Sequence, residues 1–213
     1  MVIHRLQLRM EETALAGRKQ VAGLNKNYFV ISSMSRLTIP TDWLPQYTYK
    51  EYEKWEGEWE LIRGIPYAMS PSPKRRHQEI GRKFMRLAED SLTATRGKCD
   101  CQIYYELDWI VDENTVIRPD VMIVCGTFDE DFLRFPPTLA VEIASDGTRL
   151  KDRNVKYKLY ESNGVKYYII ADIERKKVEV FQLSDGHYQE FIGTNFQLTP
   201  SCSIDLDLDL LWK

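Results

Sequence analysis

Apolar residues recur along the chain in two rhythms, one of helices and one of strands. After Pro71 and Pro73, His77, Ile80, Phe84, Leu87, Ala88 and Ser91 fall on one helical face, with Lys74, Arg75, Arg76, Arg82, Lys83 and Arg86 mostly around it. This is the longest helix that the pattern predicts. Compact apolar runs predict strands over residues 102–107, 117–124, 139–144, 165–172 and 177–183. A second helix is expected over residues 151–162, closed by Asn163-Gly164, where glycine can supply a left-handed cap.

Shorter signals fill in the ends. Thr48 and Glu51 have capping-box spacing, and Tyr49, Tyr52 and Trp55 follow at helical intervals, so a short helix should begin there. "WELIRGIPYAM" gives two apolar runs about Arg63-Gly64, a hairpin signal weaker than Asn-Gly, and Pro66 points to an edge strand. The tail over residues 204–211 alternates apolar residues with Asp and reads as an edge strand or a solvated terminus. This order of elements predicts an α/β or α+β domain, a mixed central β-sheet flanked by helices. Residues 1–36 hold six Lys or Arg against two acidic residues and no sustained periodicity. They read as an N-terminal extension with Met34 as an alternative start, and the domain as residues 37–213.

Composition narrows the class. With 43% hydrophobic and 29% charged residues in 213, the chain has material for one sizeable core. The apolar runs are too short to span a bilayer and the first residues carry charge, so no membrane association and a cytoplasmic location are expected. The net charge of -3 argues against coating nucleic acid by bulk electrostatics but leaves room for a locally basic cleft. Cys99, Cys101, Cys125 and Cys202 lack zinc-pair spacing and a nearby His, so neither structural zinc nor disulfides are expected.

Two carboxylates stand out because each interrupts or abuts an apolar run: Asp120 in "IRPDVMIV" and Glu142 in "LAVEIAS". Neighbouring strands could set them about 5 Å apart. Two hard oxygen ligands at that separation suit Mg²⁺, which keeps several waters and takes up substrate phosphate oxygens. The competing reading is a pair of buried salt bridges, for example with Arg118 or Arg149. Lys156 shares a helical face with Asp152 and Tyr160. Spacing makes it either a surface partner of Asp152, worth about 0.2–0.5 kcal/mol, or an ammonium that leans toward Glu142 and stabilises charge on phosphorus.

"WELIRGIPYAMSPSPKRRHQ", "IRPDVMIV" and "PTLAVEIASDGTRLKDRNVKYKLYESNGVKYYIIAD" together resemble the Uma-type (Uma-two) family of proposed endonucleases, abundant in cyanobacteria and built on the restriction-endonuclease-like PD-(D/E)XK fold. The resemblance covers roughly residues 47–191. It implies metal-binding acids at Asp120 and Glu142, with the backbone carbonyl of Ile143 as a further ligand and an early acid at Glu60. Where the PD-(D/E)XK pattern has a Lys, two residues after the Glu, this chain has Ala144. The subgroup's displaced lysine falls on Lys156. Arg75, Arg76 and His77 match the region at the start of the long helix, where basic side chains could meet phosphates. The resemblance thus implies a Mg²⁺- or Mn²⁺-dependent endonuclease acting on DNA, with homodimerisation a reasonable expectation of the fold. The alternative is a catalytically inactive DNA-binding or protein-interaction module of the same fold.

Overall fold

The computed structural model describes residues 44–69, 74–95, 97–145 and 152–213, all within the unit Thr41–Lys213. The expected extension, Pro71, Pro73 and Arg149 lie outside the described residues.

In chain order the elements are α1 (Tyr49–Tyr52), β1 (Trp59–Ile62), β2 (Ile65–Ala68), α2 (Arg75–Ala94), β3 (Cys101–Tyr105), β4 (Trp109–Asp112), β5 (Thr115–Ile117), β6 (Val121–Cys125) and β7 (Leu139–Ala144). A π-helical turn, Asp152–Lys156, leads into α3 (Tyr157–Ser162). Then come β8 (Tyr167–Asp172), β9 (Lys177–Ser184), β10 (His187–Glu190), β11 (Asn195–Thr199), β12 (Cys202–Asp205) and a closing 3-10 turn, Leu208–Trp212. The result is a mixed α+β fold.

The central sheet has the order β10-β9-β8-β7-β6-β3. β7 and β8 are parallel and every other pair in it is antiparallel. A parallel pair needs a crossover, and the π turn with α3 supplies it. All six residues of β7 are buried, as a strand covered on both faces requires. Its side chains alternate between two cores. Leu139, Val141 and Ile143 join Ile80, Phe84 and Ala88 of α2, together with Phe196, Ile204 and Leu211 from the C-terminal segment. Ala140 and Ala144 join Leu159 and Tyr160 of α3, Trp109 and Ile62 on the other face. Glu142 belongs to this second face by parity.

A second sheet, β2-β1-β5-β4, is fully antiparallel. The Arg63-Gly64 turn is made with both residues left-handed, φ 52° and 77°, the geometry a two-residue hairpin needs. Pro66 sits in β2, at the sheet edge, as expected. In β1, Leu61 packs with Ile110 and Val116 under Tyr49, Tyr52 and Trp55. Glu60 and Ile62 therefore point the other way, toward the central sheet's second core. At the head of α1, the Thr48 backbone N–H and hydroxyl both donate to Glu51 Oε2 at 2.9 Å, in line with the capping-box spacing.

Three expectations are corrected and one element is new. The apolar run 117–124 is two strands of different sheets, because Arg118-Pro119-Asp120 breaks the run between β5 and β6. The hairpin of β4 and β5 was not anticipated, since its strands are only four and three residues long. The tail is not a solvated terminus: its start, Ile204-Asp205, ends β12 of a two-stranded sheet with β11, the rest leaves the strand for the 3-10 turn, and Ile204, Leu206 and Leu211 are buried against α2. Disulfides are present, Cys101 with Cys125 and Cys99 with Cys202. Cys101 and Cys125 are direct register partners across β3 and β6. Cys202 reaches Cys99 through a contact 103 residues apart in sequence, which linear spacing does not reveal.

α2 approaches the sheet closely at Gly81, where an added Cβ would lie 3.0 Å from Tyr105 and 3.2 Å from Ile143. On the opposite face, Tyr188 of β10 donates its hydroxyl to the Val165 carbonyl at 2.9 Å and its backbone N–H to Glu161 Oε1 at 2.7 Å. Burial, followed by the Glu161 charge, holds the Tyr188 phenol well above its ordinary value of 10.0. A phenol whose folded pKa is raised keeps its proton when the unfolded chain has lost it, so its contribution is full below the unfolded value and falls as pH rises past it. Stability should therefore decline as pH rises above about 10, and Tyr188→Phe should flatten that decline while lowering stability at neutral pH by about 0.5–1.5 kcal/mol; urea unfolding across this pH series checks both.

Candidate active site

Glu142, the acid within the apolar run of β7, is paired. β7 presents its carboxylate to the second core, and the π turn and α3 deliver two donors to the same oxygen: Lys156 Nζ at 2.7 Å and the Tyr160 hydroxyl at 2.6 Å from Oε1. Their spacing explains this convergence, because residues four apart on a helical segment share a face. Lys156 Nζ also lies 2.8 Å from Glu60 Oε1, carried in from β1 of the other sheet. All three charged groups are buried, with Glu60 at 0%, Lys156 at 2% and Glu142 at 3% exposure. One ammonium thus serves two carboxylates where water cannot.

The surrounding contacts fix this arrangement. Tyr160 stacks on Trp109 of β4, planes within 8° of parallel, and burial followed by the Glu142 charge holds its phenol well above 10.0. It therefore acts as a donor at neutral pH. Glu60 Oε1 also accepts from the Arg118 backbone N–H at 3.1 Å. The Arg118 guanidinium donates to Asp108 Oδ1 at 2.6 Å and pairs with Glu58. Burial pulls the Arg118 pKa down, but the Asp108 hydrogen bond and charge outweigh it and the net shift is upward. Tyr52 donates to the other Asp108 oxygen at 3.0 Å. This network anchors the Arg118-Pro119-Asp120 link.

Asp120 follows directly. In the β6–β7 ladder Val121 faces Val141, so Asp120 lies one step beyond, opposite Glu142. Its Oδ2 accepts from the Ile143 backbone N–H at 2.6 Å, and its Oδ1 lies 3.2 Å from His77 Nε2 on the first turns of α2. The Asp120 side chain keeps 15% exposure, so this acid, unlike Glu60, is open to solvent. Tyr105 adjoins it, with a phenol pushed up to about 12 by burial, then by the Glu106 and Asp120 charges.

The structure thus brings Glu60, Asp120, Glu142 and Lys156 to one end of the sheets. Lys156 is not a surface residue, and Arg118 is a partner of Asp108 and Glu58 rather than of either expected metal acid. Ile143 meets Asp120 through its amide. Of the basic residues, His77 reaches Asp120, whereas Arg75 is exposed and paired with Glu79, and Arg76 is exposed. Tyr160 and Trp109 had no assigned role in the sequence reading. The i, i+4 relation of Lys156 and Tyr160 was the available signal for the first, and nothing local pointed to the second.

Among the described residues no group of three or more His, Cys, Asp or Glu side chains is arranged to hold a metal ion. The donor set nevertheless fits a hard divalent cation. Mg²⁺ needs only one or two protein carboxylates, filling its shell with water and phosphate oxygens. Three carboxylates, Glu60, Asp120 and Glu142, outnumber the Lys156 ammonium, an imbalance of the sign that a cation relieves.

A sequence model of the Uma2 family, described as "Putative restriction endonuclease", matches residues 49–210, most of the chain. The chain belongs to the Uma2 family. An uncharacterized protein, slr1290, of Synechocystis sp. is 24% identical over 186 residues, covering 82% of this chain and 95% of that protein. The solved structure of a protein described as a putative nuclease belonging to DUF820, from Anabaena variabilis, superposes with a TM-score of 0.61 at 14% identity, covering 78% of this chain and 99% of the other. At that identity the likeness is one of fold. Among the described residues no helix is long and apolar enough to cross a membrane.

Removing the shared cation tests the buried triad. Lys156→Met leaves Glu60 and Glu142 as uncompensated buried charges and should cost about 3–5 kcal/mol. Adding Glu142→Gln and Glu60→Gln to Lys156→Met should recover a large part of that loss in chemical denaturation.

Proposed function

We propose that this Uma2 chain is a Mg²⁺- or Mn²⁺-dependent endonuclease that hydrolyses DNA phosphodiester bonds. The observation that carries this reading is Lys156 Nζ, buried between Glu142 and Glu60 with Asp120 at the adjoining strand end. Asp120 and Glu142 are the metal acids, with the Ile143 carbonyl as a further ligand, and Glu60 assists the metal or the water. The metal, when bound, supplies Lewis-acid polarisation of the phosphodiester and an acidified water.

The chain's own groups do the rest. Tyr160 and Lys156 hold Glu142 Oε1 in one orientation, which fixes the carboxylate against the strand end. Lys156 brings a positive charge beside the place where negative charge develops on the phosphoryl oxygens, and through its contacts with Glu142 and Glu60 it holds the carboxylates that orient the attacking water. Ile143 N–H and His77 hold the two Asp120 oxygens. Arg75, Arg76 and His77 open a 20-residue helix with no acidic residue in its first turn, a setting that favours phosphate. Two copies, each with one such site, can cut both strands, so a homodimer is the proposed working form on DNA.

The second reading, a non-catalytic DNA-binding or protein-interaction module, rests on the same ammonium: Lys156 already compensates Glu60 and Glu142 without a metal. The two readings differ in whether Asp120 binds a cation. Supercoiled plasmid incubated with Mg²⁺ or Mn²⁺ should be nicked by the wild type, and the isosteric Asp120→Asn and Glu142→Gln variants should lose that nicking with their circular dichroism unchanged. Absence of cleavage of any DNA by the wild type, with no calorimetric Mg²⁺ binding and with DNA affinity indifferent to Asp120→Ala, would select the module instead.

A further inference from the structure

The four cysteines are scattered through the sequence but meet in one place, away from the carboxylate site. Cys101 opens β3 and Cys125 closes β6, and the two are bonded across the ladder. Asp120 lies at the other end of β6. Cys99, just upstream of β3, is bonded to Cys202 at the head of β12. The two disulfides touch: Cys101 Sγ lies 3.9 Å from Cys202 Sγ.

Access to the Cys99–Cys202 bond is one-sided. A cleft of about 570 Å³ is lined by Ala94, Thr95, Lys98, Cys99, Ser201 and Ser203. Cys99 is half-buried on this cleft, whereas Cys202 is 1% exposed. An attacking thiolate therefore reaches Cys99 and expels Cys202. Lys98 and the two serine hydroxyls on the cleft favour the anionic thiolate over the thiol. The expelled Cys202 thiolate is generated in contact with a sulfur of the second disulfide, and disulfide exchange proceeds by such an attack.

We propose that the cleft is a thiol–disulfide exchange site for a small thiol, and that the four sulfurs relay the exchange from Cys99 to Cys125. In the first step the thiolate forms a bond to Cys99 Sγ and the Cys99–Cys202 bond breaks. In the second, the Cys202 thiolate forms a bond to Cys101 Sγ and the Cys101–Cys125 bond breaks. The Cys125 thiolate takes up the proton that the incoming thiol lost. No net oxidation or reduction occurs: two disulfides and one thiol become a mixed disulfide at Cys99, a Cys101–Cys202 disulfide and a thiol at Cys125. β12 is released in the first step and anchored again in the second, now to Cys101, while the β3–β6 ladder loses its covalent tie.

The test uses the full-length oxidised protein and reduced glutathione as the probe. After brief exposure to glutathione, iodoacetamide quenching and peptide mapping without reductant, the relay gives glutathione on Cys99, a Cys101–Cys202 cross-link and alkylation confined to Cys125. Alkylation at Cys202 with the Cys101–Cys125 bond intact, absence of any glutathione adduct, or four alkylated cysteines before glutathione is added would each overturn it. In Cys99→Ser the glutathione adduct is lost and the Cys202 thiol exchanges unaided, so Cys125 becomes alkylated without added thiol. Persistence of Cys101–Cys125 in that variant counts against the relay, and the wild-type map decides the question should the variant not fold.

Discussion

One buried ammonium, shared by Glu60 and Glu142, holds the two sheets in register with each other. Burying a lone carboxylate costs several kcal/mol, and burying two multiplies the cost unless a cation sits between them. Lys156 supplies that cation, and its two partners come from β1 of the small sheet and β7 of the central one. The π turn that carries Lys156 is itself the crossover joining the parallel strands β7 and β8. A single contact thus ties together the small sheet, the main sheet and the connection between its central strands.

The same requirement shapes the site. Because Glu142 is the one charged residue of a strand covered on both faces, its surroundings must be polar on one side, and Tyr160 completes them with a donor that burial keeps protonated. Asp120 is governed differently. The break at Arg118-Pro119 takes it out of the ladder and leaves it partly open to solvent, held by a backbone amide and a histidine from α2. One acid is committed to the core and the other faces outward, next to each other at one sheet end. π turns inside helices are often found at functional sites, and here the turn sets the Lys156 side chain toward the strands.

Much of this was legible in the residues, and for identifiable reasons. The period of the apolar residues in α2, the apolar run of β7 and the Thr48–Glu51 cap are local properties and were read correctly. Asp120 and Glu142 declared themselves as charges in apolar surroundings. From spacing Lys156 read first as a surface partner of Asp152, four residues earlier; its burial and its contact with Glu142 decide otherwise. The break within residues 117–124 was misread because apolarity continues across it while the hydrogen-bonding partners change. The disulfides were misread because pairing depends on which strands lie side by side.

The sequence by itself determined where apolar faces lie, which charges sit among them and, through its likeness to the Uma2 family, which fold those faces build. These are short-range facts, set by side-chain period, caps and turn residues. Tertiary structure alone decided what each buried charge meets, because the partners Glu60, Glu142 and Lys156 come from segments far apart along the chain. It decided the cysteine pairs for the same reason. A buried polar atom must find its partner in three dimensions, and which partner arrives depends on how the sheets and α2 pack.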